Sequence, residues 1–140
     1  MILVDTNVIL ASLVSSRGAS FKLLERMLDG DIEFLMSLKL FSEYWGVVTR
    51  HENLKLIPLA MKELESLFAL IVQKASYQEV YYLWRPNLKD ENDNFILELA
   101  IAGHAESIVT FNKKDFLSSQ MKFDLLIESP GEFLKRRGFL

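Results

Sequence analysis

The spacing of apolar and polar positions changes several times along the chain, and the changes mark out alternating strands and helices. Ile2-Leu3-Val4 is an unbroken apolar run, followed by Asp5-Thr6-Asn7 and a second apolar run from Val8. A buried strand, a polar turn and a helix entered through Thr6 or Asn7 as cap account for this pattern. Ala19 to Leu28 carries Leu23, Leu24, Met27 and Leu28 at helical spacing and is stopped by Asp29-Gly30-Asp31. Ile32 to Met36 suits a second strand, and Ser37 is placed to cap a third helix running to about Thr49. His51 to Ile57 reads as an irregular connection. Pro58 fits the first turn of a further helix, and Leu59 to Val72 is strongly apolar with Lys62, Glu63, Glu65 and Ser66 on the wet side. Ser76 to Leu83, rich in Tyr and Val, reads as a third strand. Asp90-Glu91-Asn92-Asp93 opens a helix through Gly103 with an acidic first turn that suits the helix dipole. Ser107 to Phe111 is a strand, Asn112 to Leu117 a loop or single helical turn, Asp124 to Glu128 a last strand, and Pro130 starts a terminal helix ending near Arg137.

Strands alternating with helices over the whole length predict an α/β fold with a mainly parallel central sheet covered on both faces. At 140 residues with 50% hydrophobic positions, one domain spanning 1–140 with a proper core is expected. There is no Cys, which excludes a disulfide scaffold and a thiolate metal site. The first strand begins at Met1 without a basic leader, and no apolar run approaches a bilayer span, so a soluble, cytoplasmic protein with no membrane partner is expected. The net charge of -3 and pI near 5.4 argue against coating nucleic acid by bulk electrostatics. They are compatible with a nuclease, because bound cations reverse the local sign where a phosphate must sit.

Three acids stand where acids are costly. Asp5 follows an apolar strand, the edge where open parallel sheets gather ligands, although an Asp there also serves as a helix cap. Glu43 shares a helical stripe with Leu40 and Val47, on the face expected to pack against the sheet, or else pairs with Lys39 one turn earlier. Asp93 aligns with Ile96, Ala100 and Gly103, whereas Asn94 and Glu98 fall elsewhere on that helix; Asp90 joins the same face if the helix starts early. Asp115 or Asn112, beyond the strand ending at Phe111, can reach the same crevice. Several buried carboxylates repel one another, and a divalent cation removes the conflict. Hard oxygen donors without Cys or paired His suit Mg2+ or Mn2+.

Taken in order, these residues resemble a known family. Val4-Asp5-Thr6-Asn7, Ser42-Glu43-Tyr44, Asp90-x-x-Asp93 leading into Phe95-Ile96-Leu97-Glu98-Leu99-Ala100, and Val109-Thr110-Phe111-Asn112-Lys113-Lys114-Asp115-Phe116 are similar to a PIN domain. The closing Glu128-Ser129-Pro130-Gly131-Glu132-Phe133 resembles the bacterial and archaeal toxin subgroup. The resemblance implies a three-layer α/β/α sandwich and an Mg2+- or Mn2+-dependent ribonuclease held in check by a small antitoxin, and makes a homodimer plausible. It carries the first three metal-binding acids onto Asp5, Glu43 and Asp93. The fourth falls on Asp115 with Asn112 as neighbour, since many members carry Asp where this chain has Asn112. Thr6 and Asn7 match small polar positions beside the first acid, and Asp90 an outer ligand.

The mechanism expected from these residues is attack by an ion-activated water on phosphorus, with Arg17, Lys113 and Lys114 contacting the RNA backbone. His51 and His104 are not required, since one lies in a connection and the other suits a helix end. Two rival readings remain. One is a non-catalytic binding module that keeps its acids for folding or for a basic partner. The other is an aspartyl-phosphate domain using Asp5 as nucleophile, although the second Asp expected two residues on is Asn7. Leu59 to Val72 and Tyr77, Tyr81, Tyr82 and Trp84 supply apolar surface for the core or for a partner.

Overall fold

The computed structural model describes residues 1–80, 91–117, 120 and 123–140, with the side chains of 91–94 left undescribed. Strand β1 (Ile2–Val4) leads into helix α1 (Thr6–Val14), then α2 (Ala19–Leu28), β2 (Leu35–Met36) and α3 (Leu38–Val48). A single helical turn, α4 (His51–Leu54), and α5 (Met61–Lys74) precede β3 (Ser76–Tyr77). The chain then forms α6 (Glu91–Ala102), β4 (Ser107–Val109), a 3-10 turn (Lys113–Asp115), β5 (Leu126–Glu128) and α7 (Pro130–Arg136). The expected strand over Ser76–Leu83 is therefore a strand at Ser76–Tyr77, and its continuation beyond Val80 lies outside the described residues, as do Tyr81, Tyr82 and Trp84.

All strand pairs are parallel. β1, β4 and β5 form one ladder, with Val4 opposite Val109 and Val109 opposite Glu128. β2 and β3 form a second, and the bridge Ile2↔Phe34 joins the two. The spatial order is thus β3-β2-β1-β4-β5. The chain leaves β1 on one side, reaches β2 and β3, and returns to β4 on the other, so the β1/β4 gap is a topological switch point. Helices complete the expected α/β/α layering. α2 packs on α1, α5 and α7, α1 also packs on α3, and α6 packs on β1.

The helices form where their apolar positions fall on one side. α2 buries Leu23, Leu24 and Met27 and exposes Lys22, Glu25 and Arg26. It ends with Gly30 at φ 87, and the Asp31 N–H bonds back to the Arg26 carbonyl, a Schellman closure that needs a left-handed residue. α3 buries Leu40, Tyr44 and Val48. Glu43 and Val47 lie at the border of that face and are half-buried, one position off the core stripe expected for them. The row of large residues one position later, centred on Tyr44, fills the sheet contact instead. α5 starts at Met61, later than expected, because Glu63 reaches back to the Ala60 N–H at 2.8 Å.

α6 corrects the face argument made from sequence. Phe95 to Ala100 are all buried, including Glu98 at 5% exposure, which periodicity had placed elsewhere. A helix covered on every side carries no amphipathic stripe, so spacing cannot separate its inward acids from its outward ones. α6 closes with His104 at φ 55 and bonds from the N–H groups of His104 and Ala105 to the carbonyls of Ile101 and Ala100. Gly103, just before it, is required for a different reason: a Cβ there would lie 2.5 Å from Leu35 Cδ2 in the core. Neighbouring substitutions therefore act in opposite directions. His104→Gly removes a left-handed strain and stabilises by about 1 kcal/mol, whereas Gly103→Ala overpacks Leu35 and costs about 1–3 kcal/mol. Urea unfolding of the two variants checks both signs.

Candidate functional site

The register of the sheet assembles the site. With Val4 opposite Val109, the next residues, Asp5 and Thr110, leave their strands side by side at the switch point. The Asp5 N–H bonds to the Val109 carbonyl at 2.9 Å and the Thr110 N–H to the Glu128 carbonyl at 2.9 Å, which extends the pairing one step past the strands. Two helices begin at the same edge: Asp5 caps α1, accepting from the Thr6 N–H at 2.8 Å, and Ser37, directly after β2, caps α3. The cap of α1 is therefore Asp5 itself, not Thr6 or Asn7, since only its carboxylate reaches the first free N–H. Capping and site roles coincide in one residue.

Both oxygens of Asp5 are engaged on the protein side. Oδ1 takes the Thr6 N–H, and Oδ2 accepts from the Thr110 hydroxyl at 2.8 Å. That hydroxyl in turn accepts from the Asn112 N–H at 2.9 Å, which ties the loop after β4 to the carboxylate. Thr110 is fully buried and was quoted in the sequence only as part of a motif. The signal for its role is a hydroxyl residue directly after a strand, paired in register with an acid. Burial raises the pKa of Asp5 above 3.8, partly offset by its bonds to Thr110 and Thr6, and the negative charge of Asp115 adds to the rise. Asp115, exposed on the 3-10 turn, is thus brought to Asp5, with Asn112 at the start of that turn.

Tyr44 links the next acid. Its hydroxyl, fully buried, donates to the Val4 carbonyl at the end of β1, fastening α3 to the strand that carries Asp5. Burial first, then the charges of Asp5 and Glu43, push its phenol well above the ordinary tyrosine range. Asp5, Glu43 and Asp115 are the expected acids that fall among described side chains. Asp93 lies in the first turn of α6 with its side chain undescribed, and Asp90 lies outside the described residues. Among the described residues no cluster of three metal-ligating side chains forms. The donors present nonetheless fit a hard cation. Thr6 Oγ1 and Asn7 Oδ1 beside Asp5 are buried without a hydrogen-bond partner among the described residues, and an added positive charge would relieve the burial of Asp5.

The basic residues separate. Lys113 Nζ is held by Glu132 of α7 at 2.9 and 3.1 Å, Lys114 is exposed beside Asp115, and Arg17 follows the far end of α1. That helix has nine residues, about 13 Å of rise away from Asp5. Arg17 is not beside the carboxylates. Lys39 and Arg50 instead line a cavity that shares Glu43 with the acid site. Lys39 lies one turn before Glu43 on α3, and Arg50 follows the helix, just beyond its C-cap Thr49.

The fold is that of an α/β protein whose β1/β4 switch point carries Asp5 bonded to Thr110. The family model of the PIN domain matches residues 1–114, and the chain belongs to that family. Its members are generally nucleases that use divalent metal ions, which supports a nuclease role here. No significant match was found among curated proteins, and none among solved structures. No helix among the described residues is long and apolar enough to cross a membrane.

The pair Lys113–Glu132 gives the turn that carries Asp115 a pH-dependent tether. Lys113, together with the Ser129 backbone, holds the Glu132 carboxyl at about 2, down from 4.5. A depressed carboxyl stabilises the fold above its unfolded value and loses that contribution as pH falls from 4.5 towards 2. Glu132→Gln retains the capping geometry with Ser129 and removes the charge. Acid unfolding of the variant is expected to be flatter than wild type through that window at low salt, and parallel curves would show that this exposed pair contributes nothing.

Proposed function

We propose that this chain is an Mg2+- or Mn2+-dependent endoribonuclease that hydrolyses RNA phosphodiester bonds, a cytoplasmic single-domain toxin of a toxin-antitoxin pair. The observation that carries the reading is the setting of Asp5: a half-buried carboxylate at the switch point, oriented by Thr110 and facing Asp115, with Glu43 across Tyr44. Asp5, Asp93 and Asp115 are the residues that would hold the ion, with Glu43 and Asp90 supporting them and with Thr6, Asn7 and Asn112 supplying polar atoms nearby. When bound, the divalent ion supplies Lewis-acid stabilisation of the phosphoryl charge and activates the attacking water.

The chain's own groups do the positioning. The Thr110 hydroxyl and the Thr6 N–H fix the carboxylate plane of Asp5, and each oxygen retains a lone pair directed away from these donors. Two hydrogen bonds also weaken Asp5 as a nucleophile, which disfavours aspartyl-phosphate chemistry. Tyr44 seals the strand end beneath the acids and keeps Glu43 in register with them. Lys114, exposed on the Asp115 turn, is placed to meet an RNA phosphate.

Purified protein is expected to cleave RNA with Mn2+, to stop with EDTA, and to lose at least about 100-fold in rate as Asp5→Asn. Asn caps a helix as well as Asp does, so this variant stays folded. Its melting temperature in EDTA is expected to match or exceed wild type, because a raised carboxyl pKa costs stability at neutral pH. Equal cleavage under all three conditions would remove the nuclease reading and leave the binding module.

Two apolar surfaces support the partners. A groove of about 410 Å3 between α1, α2 and the start of α5 is lined by Leu13, Phe21, Leu24, Leu28, Leu59 and Leu67, with Glu25 and Glu63 on its rim. It suits an apolar antitoxin segment bearing basic residues. The Phe41, Trp45 and Phe68 cluster on α3 and α5 suits a second copy of the chain. Light scattering is expected to give a dimer mass, and the product of an adjacent short reading frame to inhibit cleavage; a monomer, or the lack of any inhibition, removes the corresponding partner.

A further inference from the structure

One polar cavity adjoins the acid site without belonging to it. It measures about 330 Å3 and is lined by Lys39, Glu43, Gly46, Val47 and Arg50 of and just after α3, together with Phe95 of α6. Glu43 is the wall it shares with the carboxylates around Asp5. On the other side stand two cations, unlike anything at the centre of an acidic site. Lys39 Nζ lies 4.6 Å from the centre of the Phe95 ring, which orients its ammonium by a cation-π contact. Arg50 is exposed and its guanidinium has no hydrogen-bond or ion-pair partner among the described residues. The floor is bare backbone at Gly46, in the interior of α3. A Cβ at Gly46 would meet nothing within 4 Å, so no packing contact demands glycine there. Glycine in a helix interior is normally disfavoured relative to alanine. Here it keeps open a cleft that a side chain would occupy.

We infer that this cavity is a subsite for the RNA strand next to the scissile bond, with Arg50 and Lys39 binding a phosphodiester that flanks the one at the carboxylates, and with Gly46 left bare so that the sugar-phosphate backbone lies against α3. The planar guanidinium suits a phosphate, and the adjoining acids repel the strand unless cations beside them anchor it. The inference rests on the nuclease reading for its substrate. It assigns the backbone-binding role to Arg50 with Lys39 beside it, ahead of Arg17, which is distant.

Two variants test it on the full chain. Arg50→Gln removes the phosphate contact, and Gly46→Gln fills the cleft while improving the helix, so its melting temperature is expected to be at or above wild type. Binding of a labelled single-stranded RNA oligonucleotide is read by anisotropy in EDTA, with Mn2+ binding measured separately by calorimetry. Both variants are expected to weaken RNA binding about tenfold or more. Arg50→Gln is also expected to flatten the salt slope by about 0.7, the share of one phosphate on a single strand. Mn2+ affinity is expected to stay unchanged, and KM for RNA to rise with kcat retained within about twofold. Unchanged RNA binding in either variant overturns the subsite, and so does a parallel loss of Mn2+ binding, which would mean the residues act through the acids. If wild type shows no metal-dependent cleavage the nuclease reading fails, while the anisotropy measurement still decides whether the cavity binds RNA.

Discussion

Parallel pairing of β1 with β4, with Val4 opposite Val109, is the constraint from which the site follows. It places Asp5 and Thr110 next to each other as their strands end, and the Thr110 hydroxyl then binds the Asp5 carboxylate at 2.8 Å. A slip of one residue would turn these side chains to opposite faces of the sheet and bury the acid among Leu3, Ile108 and their neighbours. The register is held by complete burial of both strands, so the position of the acid is maintained by the hydrophobic core.

Around that pair the structure accepts an electrostatic cost. Asp5 is half-buried and its charge is disfavoured by burial and by Asp115. Partial compensation comes from the first N–H of α1 and from the positive end of that helix. Tyr44 adds a neutral clasp, because its buried phenol cannot ionise between Asp5 and Glu43 and serves only as a donor to Val4. Asp5 is thus oriented by fixed donors while burial and Asp115 disfavour its charge.

Charge on α3 is arranged by the same geometry. The core row Leu40, Tyr44 and Val48 fixes the rotation of the helix. Its flank therefore presents Lys39 and Glu43, and Arg50, just past the end of the helix, lines the same cavity. After β4, Glu132 restrains Lys113 and so the turn bearing Asp115. The two differ in kind: Lys113 is held in an internal ion pair, whereas Arg50 has no ion-pair partner among the described residues.

Much of this was legible in the chain. The unbroken apolar run Ile2–Val4, the apolar pair Ile108-Val109, the stop at Gly30 and the start at Pro130 marked strands and helix ends, because these signals are local. The acids Asp5, Glu43 and Asp115 were legible as costly positions in motif order. Glu43 lies beside the core row rather than in it, with its Oε2 buried, since the rotation of a helix depends on which neighbours it meets. Glu98 was missed because α6 is covered on all sides and shows no stripe. Thr110 as the partner of Asp5, Tyr44 as the clasp, and the meeting of Lys39 and Arg50 with Phe95 in one cavity beside Glu43 were decided only by tertiary structure. Each depends on a register or a rotation linking residues far apart in sequence, and no local pattern of hydrophobicity encodes those.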